Sequence, residues 1–373
     1  MGNIYADNAS TTQLDCDAFE AMKVWLLEEY GNASQPYLFS RKPKEAIKKA
    51  RETIASCIGA DPSEIFFTSG GTESDNWAIK GNAFYENTHN LIVTSAIEHH
   101  AVLRSCYAVE KMGCPVEYML PTEHGEITPS ILRHHISNKT KLVSVMYANN
   151  EIGTIQPIKE LCEVAHSHGA LFHTDAVQAV GHIKIEVHKL GIDFLSASAH
   201  KFNGPKGIGF FYIRNGACIS PLMHGGAQER SMRAGTENVA QIVGMAVALQ
   251  KNVSSMIDNQ NCILRLEKLL LKKLDENCIS YTRNGSDNTL PGLISLSFKG
   301  KNGESILHRM DLMGICISTG SACDSKNTEI SHVLKAMRIP ENVAEGTIRI
   351  SFGKNNTEED VNAIASALIK IVG

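Results

Sequence analysis

The chain has 373 residues, of which 43% are hydrophobic and 20% charged, and its formal net charge is -4. This composition is ordinary for a globular protein, and the length exceeds what one hydrophobic core usually holds, so we expect two domains. The sequence has no basic run for nucleic acid, no apolar stretch long enough to span a membrane, and no leader resembling a signal peptide. Ten scattered cysteines without a C-x-x-C pair favour a reduced, cytoplasmic setting over disulfides or a metal site.

Short apolar runs alternate with helical stretches between residues 65 and 213. The runs EIFFTS, NLIVTS, KLVSVMY, ALFHTD and DFLSAS are typical of strands that are buried on both faces of a sheet. Residues 158–169 carry apolar side chains at helical spacing. Asp175 and Lys201 close successive runs 26 residues apart, which suits one strand–helix–strand crossover. The pattern predicts a mainly parallel sheet flanked by helices.

The character of the sequence changes after Thr236. Residues 237–275 predict long helices, and the runs LPGLISLSF, GICIST and TIRISF predict strands of a smaller α+β domain. We therefore predict a large domain over residues 13–255 and a small domain formed by residues 1–12 and 256–373.

Polar clusters follow the predicted parallel strands. In chain order they are SGGTESDN, EHH, NNE, DAVQ and SASAHK. Ligands of open parallel sheets bind outside the carboxyl ends of the strands, so these clusters predict one shared site. SGGTESDN fits a glycine turn and a helix start, where Thr72 can cap the helix and exposed N–H groups can bind phosphate. A capped helix without any ligand fits this motif equally well.

Three further residue types at these strand ends indicate a cofactor when they are taken together. Lys201 could form a Schiff base in a desolvated site, although a single lysine in a loop is more often exposed. Asp175 could pair with a protonated pyridine nitrogen or cap the next turn, and His99 or His100 could stack on a flat ring or only hydrogen-bond locally. A phosphate cradle, an aspartate and a lysine in one sheet describe the groups that hold pyridoxal phosphate (PLP).

The ordered motifs of the chain resemble those of the NifS/IscS-type cysteine desulfurases, which are class-V aminotransferase-like, PLP-dependent enzymes. The motifs are YADNASTT, TSGGTESDN, EHHAV, NNEIG, HTDAVQ, SAHKFNGPKGIG, MHGGAQERSMRAGTEN, STGSACDS and IRISFG. The resemblance covers nearly the whole chain. It implies PLP fold type I, an aspartate-aminotransferase-like α/β fold with a mainly parallel seven-stranded sheet in the large domain and a small α+β domain that carries the catalytic cysteine loop.

The resemblance also implies a role for each matched residue. Cys323 would take sulfur from L-cysteine as a persulfide while L-alanine leaves, and Lys201 would bond to pyridoxal 5'-phosphate and move protons. His99 would stack on the cofactor ring and take part in acid–base steps. Apart from the resemblance, Cys316 lies in a predicted apolar strand, and we expect it to be an inert thiol. The remaining implied cofactor contacts are Gly71, Thr72, Asn150, Asp175, Gln178, Ser198, His200 and, from the other subunit of a homodimer, Thr236; the implied substrate contacts are Asn150 and Arg349.

Several alternatives stay open at the level of the sequence. GNASQPYLFSRK departs from the family pattern GNPSS-x-H, and the chain ends soon after its last predicted helix, where relatives that supply iron–sulfur scaffolds often have a longer tail. The sulfur acceptor could be a scaffold, a tRNA-modifying enzyme, a sulfur relay protein or a DNA-sulfur pathway. Rival functions are a selenocysteine lyase of the same fold, an aminotransferase or decarboxylase, and a non-catalytic PLP-binding partner protein.

Overall fold

The computed structural model describes residues 3–319 and 330–373 of the chain. The strands, numbered in chain order, are β1 (Ile4–Tyr5), β2 (Ile65–Thr68), β3 (Leu91–Ser95), β4 (Val116–Met119), β5 (Thr140–Ser144), β6 (Leu171–Asp175), β7 (Phe194–Ser198), β8 (Gly209–Ile213), β9 (Thr282–Asn284), β10 (Leu293–Ser297), β11 (Ile315–Cys316) and β12 (Thr347–Ser351). The helices are α1 (Cys16–Leu27), α2 (Arg41–Ile58), α3 (Gly71–Ala83), α4 (His100–Lys111), α5 (Pro129–His135), α6 (Ile158–Ser167), α7 (Val187–Leu190), α8 (Val239–Ser254), α9 (Met256–Glu276), α10 (Gly303–Asp311), α11 (His332–Ala336), α12 (Glu341–Ala344) and α13 (Glu358–Val372).

Seven strands form the main sheet in the order β2-β8-β7-β6-β5-β3-β4. Neighbouring strands from β4 to β7 pair in parallel, whereas β8 runs antiparallel to both β7 and β2. Every residue of β2, β7 and β8 is buried, as continuous apolar runs require when both faces of a sheet are covered. The predicted seven-stranded, mainly parallel sheet is confirmed.

Two large apolar clusters lie in different parts of the chain. The first joins buried residues between positions 18 and 249 around the main sheet and helices α2, α6 and α8. The second joins position 6 to positions 263–372, where α9, α10 and α13 pack with the antiparallel sheet β12-β10-β9. Helix α8 ends at Ser254 and α9 begins at Met256. We propose that the boundary between the two predicted domains lies at this helix junction, near residue 255.

The N-terminal segment joins the second cluster to the edge of the main sheet. Strand β1 pairs in parallel with β11, and Asp7 forms an isolated bridge with Ser351 at the end of β12. The carbonyl of His200, just beyond β7, then accepts the backbone N–H of Thr12. The segment between positions 7 and 12 therefore runs past the carboxyl end of β7. No described helix is both long enough and apolar enough to cross a membrane.

Candidate active site

A cavity of about 420 Å³ lies at the carboxyl ends of the parallel strands. It forms there because β3, β6 and β7 each end in polar residues that the parallel topology brings to one edge. Of the predicted site residues, the cavity wall contains Gly71, Thr72, His99, Asn150, Asp175, Gln178, Ser198, His200, Lys201 and Arg349. Thr236 is exposed and outside this wall, and Cys323 lies outside the described residues.

Lys201 ends a short turn that follows β7, and its side chain is half-buried. Its Nζ donates hydrogen bonds to the carbonyl oxygens of Ala9 at 2.5 Å and Ser10 at 2.8 Å. Gln178 also uses Ala9, because its Nε2 donates to the same carbonyl at 2.9 Å. The N-terminal segment therefore fixes both the amine and the neighbouring amide at the cavity wall.

Asp175 is the last residue of β6 and is 5% exposed. Its Oδ1 accepts the backbone N–H of Val177 at 2.9 Å. Burial raises the pKa of this carboxyl, while His99, the Val177 N–H and Lys201 act in the opposite direction. A cationic group placed against Asp175 would stabilise its charged form further.

His99 is the N-cap residue of α4, and its Nδ1 accepts the N–H of Ala101 at 3.1 Å. Because Nδ1 is the acceptor, the neutral ring carries its proton on Nε2. Burial lowers the pKa of His99, and the positive charge of Lys201 lowers it as well. The ring at the cavity wall is therefore favoured in its neutral form, which suits a stacking contact.

The glycine turn after β2 leads into α3 and leaves its first turn without a side-chain cap. Gly70 is the N-cap residue, with φ of 146°, a conformation that favours glycine. The prediction that Thr72 caps this helix is wrong, because Thr72 is the second residue inside α3. A Cβ at Gly71 would lie 2.5 Å from Val177 Cγ2, so the backbone approaches the next wall closely. The free N–H groups at this helix start are suited to an anion.

An adjoining recess of about 360 Å³ lies directly in front of this helix start. Thr72, Ser198, His200 and Lys206 contribute to its wall, and Lys206 is a cationic member that the motifs did not single out. Burial lowers the pKa of His200 to about 4, with Lys201 and Lys206 contributing in the same direction. A neutral imidazole can still donate one hydrogen bond to an anionic ligand.

Arg349 lies in the middle of β12 and is 3% exposed. Its Nη1 donates to the carbonyl of Asn150 at 2.8 Å, and its Nη2 donates to Asp7 Oδ1 at 2.8 Å and to Ser10 Oγ at 2.7 Å. Its Nε is buried and has no hydrogen-bond acceptor within the described ranges. The guanidinium is thus held rigidly at the cavity wall with one donor still to be satisfied.

The geometry suits one class of ligand. A primary amine, a buried carboxylate and a neutral imidazole surround the main cavity, and a glycine-lined helix start faces the adjoining recess. A flat heterocycle fits this set if it has a cationic ring nitrogen, an anionic group at its other end and a carbonyl carbon near Lys201. The residues present therefore fit PLP.

Comparisons with known proteins give the family. The Aminotransferase class-V family matches residues 4–364. This chain belongs to the class-V aminotransferases. Within this family it is 47% identical over 371 residues to the cysteine desulfurase IscS of Dictyoglomus turgidum, which covers 99% of this chain and 94% of the relative. It is 45% identical over 370 residues to the IscS of Methanosarcina thermophila, covering 99% and 92%. The expected NifS/IscS-type family is confirmed.

Solved structures share the fold of this chain. A NifS-like protein superposes with a TM-score of 0.93 and 37% identity, covering 99% of both chains. SspA, solved in complex with cysteine, superposes with a TM-score of 0.85 and 37% identity, covering 95% of this chain and 100% of SspA. Both likenesses include the main sheet and the small α+β part, so the predicted fold class is confirmed.

Sequence reasoning placed one acid, Asp75, only in the first turn of a helix and gave no role to Glu98, and it did not predict that both are buried at or below the cavity wall of this class-V aminotransferase. Asp75, in α3, is 1% exposed, and Glu98, between β3 and α4, is fully buried. Both belong to motifs that were recognised for other residues, SGGTESDN and EHH. The signal that could have found them is an acid placed among residues that the fold buries, since such acids are rare unless paired or protonated.

Proposed function

We infer that this class-V aminotransferase is a cysteine desulfurase, which converts L-cysteine to L-alanine and carries the released sulfur as a persulfide. The observation that carries this proposal is the convergence on one cavity of Asp175 at the end of β6, Lys201 in the turn after β7 and Arg349 in β12. Curated relatives at 43–47% identity over 99% of the chain carry the name cysteine desulfurase, which supports the same activity.

We propose pyridoxal 5'-phosphate as the cofactor. When bound, PLP supplies an electron sink for chemistry at the substrate Cα. Lys201 Nζ would hold it covalently, Asp175 would face its ring nitrogen, Gln178 its ring hydroxyl, and His99 would stack on the ring. The residues that would hold its phosphate are Gly71, Thr72, Ser198 and His200, with Thr236 supplied by the other subunit of a homodimer.

We propose the substrate contacts from the position of Arg349 in the cavity wall. Arg349 would bind the L-cysteine carboxylate, because a guanidinium offers several donors in one plane to two oxygens. Asn150 would contact the substrate beside it, since its carbonyl already accepts from Arg349 Nη1. Lys201 Nζ would move the proton at the substrate Cα, because it lies in the same cavity wall as Arg349.

The nucleophile in this proposal is Cys323. As a thiolate it attacks the substrate sulfur, the carbon–sulfur bond breaks with its electron pair left on carbon, and that carbon takes a proton as L-alanine leaves. The flanking residues support this assignment. The Ser318 N–H donates to the carbonyl of Arg349, and Ser331 lies in the cavity wall. The segment that contains Cys323 therefore begins and ends beside the proposed substrate site.

Turnover of L-cysteine tests the nucleophile against the rival functions. With a thiol reductant, wild-type protein is expected to release alanine and sulfide in equal amounts, and Cys323→Ala is expected to keep the yellow colour but lose both products. Cys316→Ala is the matched control, because Cys316 is half-buried in β11 and burial raises its pKa. Full turnover of L-cysteine by Cys323→Ala would refute the persulfide route and leave a lyase that needs no cysteine acceptor.

The cofactor has its own test. Purified wild-type protein is expected to absorb in the visible range, and Lys201→Ala is expected to lose this band because no other residue of the proposal bonds to PLP. The sulfur acceptor would be identified by transfer of labelled sulfur from the protein to a second protein in a host lysate. A Lys201→Ala protein with an unchanged visible band would contradict the assignment of Lys201.

A further inference from the structure

Three buried carboxyl groups lie at or below the base of the cavity. Asp75 comes from α3, Glu98 from the connection between β3 and α4, and Asp175 from the end of β6, and none is more than 5% exposed. The proposed cofactor needs only one of them, because a ring nitrogen carries a single positive charge. Three buried negative charges at one place would be strongly unfavourable, so their protonation decides the charge of the site.

Asp75 and Asp175 form a close pair. One carboxylate oxygen of each, together with a ring nitrogen of His99, lie within 4.8 Å of one another. Asp175 has a hydrogen bond from the Val177 N–H, whereas Asp75 Oδ1 has no partner within the described ranges. An ionised Asp75 would therefore be a buried charge with an unsatisfied oxygen, directly beside a second acid.

The surroundings of Asp75 contain no compensating cation in the described part of the chain. His173 Nε2 lies 3.7 Å from Asp75 Oδ1, but burial lowers the pKa of His173 to about 3, so this ring is neutral. Its two nitrogens lie 2.8 Å from Ser144 Oγ and 3.0 Å from Ser196 Oγ. Among the cavity residues, Lys201 is positively charged, and its charge lowers the pKa of Asp175.

The pair is therefore asymmetric. Burial raises the pKa of Asp75 well above its usual range, the charge of Asp175 raises it further, and a hydrogen bond from Ser196 offsets this only in part. Asp175 is also raised by burial, but His99, Lys201 and the Val177 N–H favour its charged form. Ionising two neighbouring buried acids together is unfavourable, and a proton shared between them is favoured on the acid whose charge is less stabilised.

Glu98 is a separate case below the same cavity. Its Oε1 accepts the Ser95 hydroxyl at 2.5 Å and the Met146 N–H at 2.9 Å, and burial raises its pKa to about 8. It therefore keeps its own proton through most of the neutral range. In an infrared spectrum, its protonated carboxyl group gives a second band with which a band from Asp75 can be compared.

We propose that Asp75 and Asp175 share one proton, which Asp75 holds, so that the pair presents a single negative charge to the ring nitrogen of the cofactor. The O–H of Asp75 donates to Asp175, which satisfies the buried oxygen and makes Asp175 a weaker base. Asp75 is then a positioning residue, because it acts on the cofactor only through Asp175. The consequence for the cofactor rests on the proposed function, while the shared proton is a property of these two side chains.

Infrared spectroscopy of the yellow protein as purified, at pH 7, tests the location of the proton. Wild-type protein is expected to show carbonyl bands of two protonated carboxyl groups, identified by their shift in heavy water. The isosteric Asp75→Asn variant is expected to lose one band and Glu98→Gln the other. If Asp75→Asn leaves both bands in place, Asp75 is ionised and the proposal is wrong.

Titration of the visible band of the bound cofactor tests the positioning role. Asp75→Asn keeps a hydrogen-bond donor to Asp175 and leaves the negative charge on Asp175. The titration midpoint of the visible band in this variant is therefore expected within about 0.3 pH units of the wild-type midpoint. Asp75→Leu removes the donor, and a shift of about one pH unit or more is expected, since hydrogen bonds to charged groups have this strength. Equal shifts in both variants would reduce Asp75 to a packing role and overturn the proposal, and if Asp75→Leu does not fold, the infrared result decides.

These outcomes separate this inference from the proposed function. A protein that has the Asp75-dependent infrared band but releases no alanine from L-cysteine would keep the shared proton and contradict the desulfurase. An active desulfurase without that band would support the proposed function and contradict the shared proton.

Discussion

The glycine turn before α3 allows a quantitative test of the proposed phosphate cradle. In Gly71→Ala the new Cβ would lie 2.5 Å from Val177 Cγ2 and 3.8 Å from Ser198 Cβ. The first distance is well inside van der Waals contact, so the helix start or the Val177 wall has to move. Overpacking of this kind typically costs about 1–3 kcal/mol. If that cost falls on the cradle, PLP affinity decreases by roughly 5-fold to 150-fold, because each 1.4 kcal/mol is a factor of ten.

The assay is the PLP dissociation constant, measured from the visible band after removal and return of the cofactor. Val177→Ala removes the methyl group that clashes, so it serves as the matched partner in a double-mutant cycle. We expect Gly71→Ala, Val177→Ala to recover most of the affinity that Gly71→Ala loses. Wild-type affinity in Gly71→Ala, or no recovery in the double variant, would refute the assignment of this turn as a closely fitted cradle.

Three further predictions follow from buried charges. Arg349→Lys is expected to raise KM for L-cysteine by about 10-fold to 100-fold through loss of a bidentate contact, whereas an unchanged KM would exclude Arg349 as the carboxylate site. Arg51→Met leaves Glu229 buried without its bidentate partner and should lower the unfolding free energy by about 3–5 kcal/mol, measured by denaturant titration. Adding Glu229→Gln should restore part of this loss, and no recovery would argue against an electrostatic cause. Burial raises the pKa of Glu98 to about 8 in the folded protein, so over this range the folded state binds a proton that the unfolded state has lost. The unfolding free energy should therefore decline as pH rises from about 5 to 8. Glu98→Gln should flatten this decline, and an unchanged pH dependence of the unfolding free energy would show that Glu98 does not hold the proton.

The sequence predicted the main sheet well because its strands are specified locally. Runs such as EIFFTS and DFLSAS are continuously apolar, and only burial on both faces accommodates such runs. Their polar ends then had to meet, because parallel strands bring their carboxyl ends to one edge. Lys201 and Asp175 could be placed in one cavity by this argument alone.

The features that the sequence did not predict depend on contacts between distant residues. The N-cap of α3 is Gly70 rather than a side-chain acceptor at Thr72, because the turn needs a backbone conformation that favours glycine. Asp75 lies 100 positions before Asp175 in the sequence, and only the packing of α3 against the sheet brings their oxygens together. The partner of Arg349 is Asp7, near the opposite end of the chain, so no local pattern could indicate it.

Ser10 makes the N-terminal segment more than a connection between two cores. Its hydroxyl accepts Arg349 Nη2, and its carbonyl accepts Lys201 Nζ. In the proposed reaction Arg349 binds the substrate carboxylate and Lys201 moves the proton at the substrate Cα. Ser10 therefore supports both the binding residue and the proton-moving residue. We expect a change at this one serine, near the beginning of the chain, to affect substrate binding and proton transfer together.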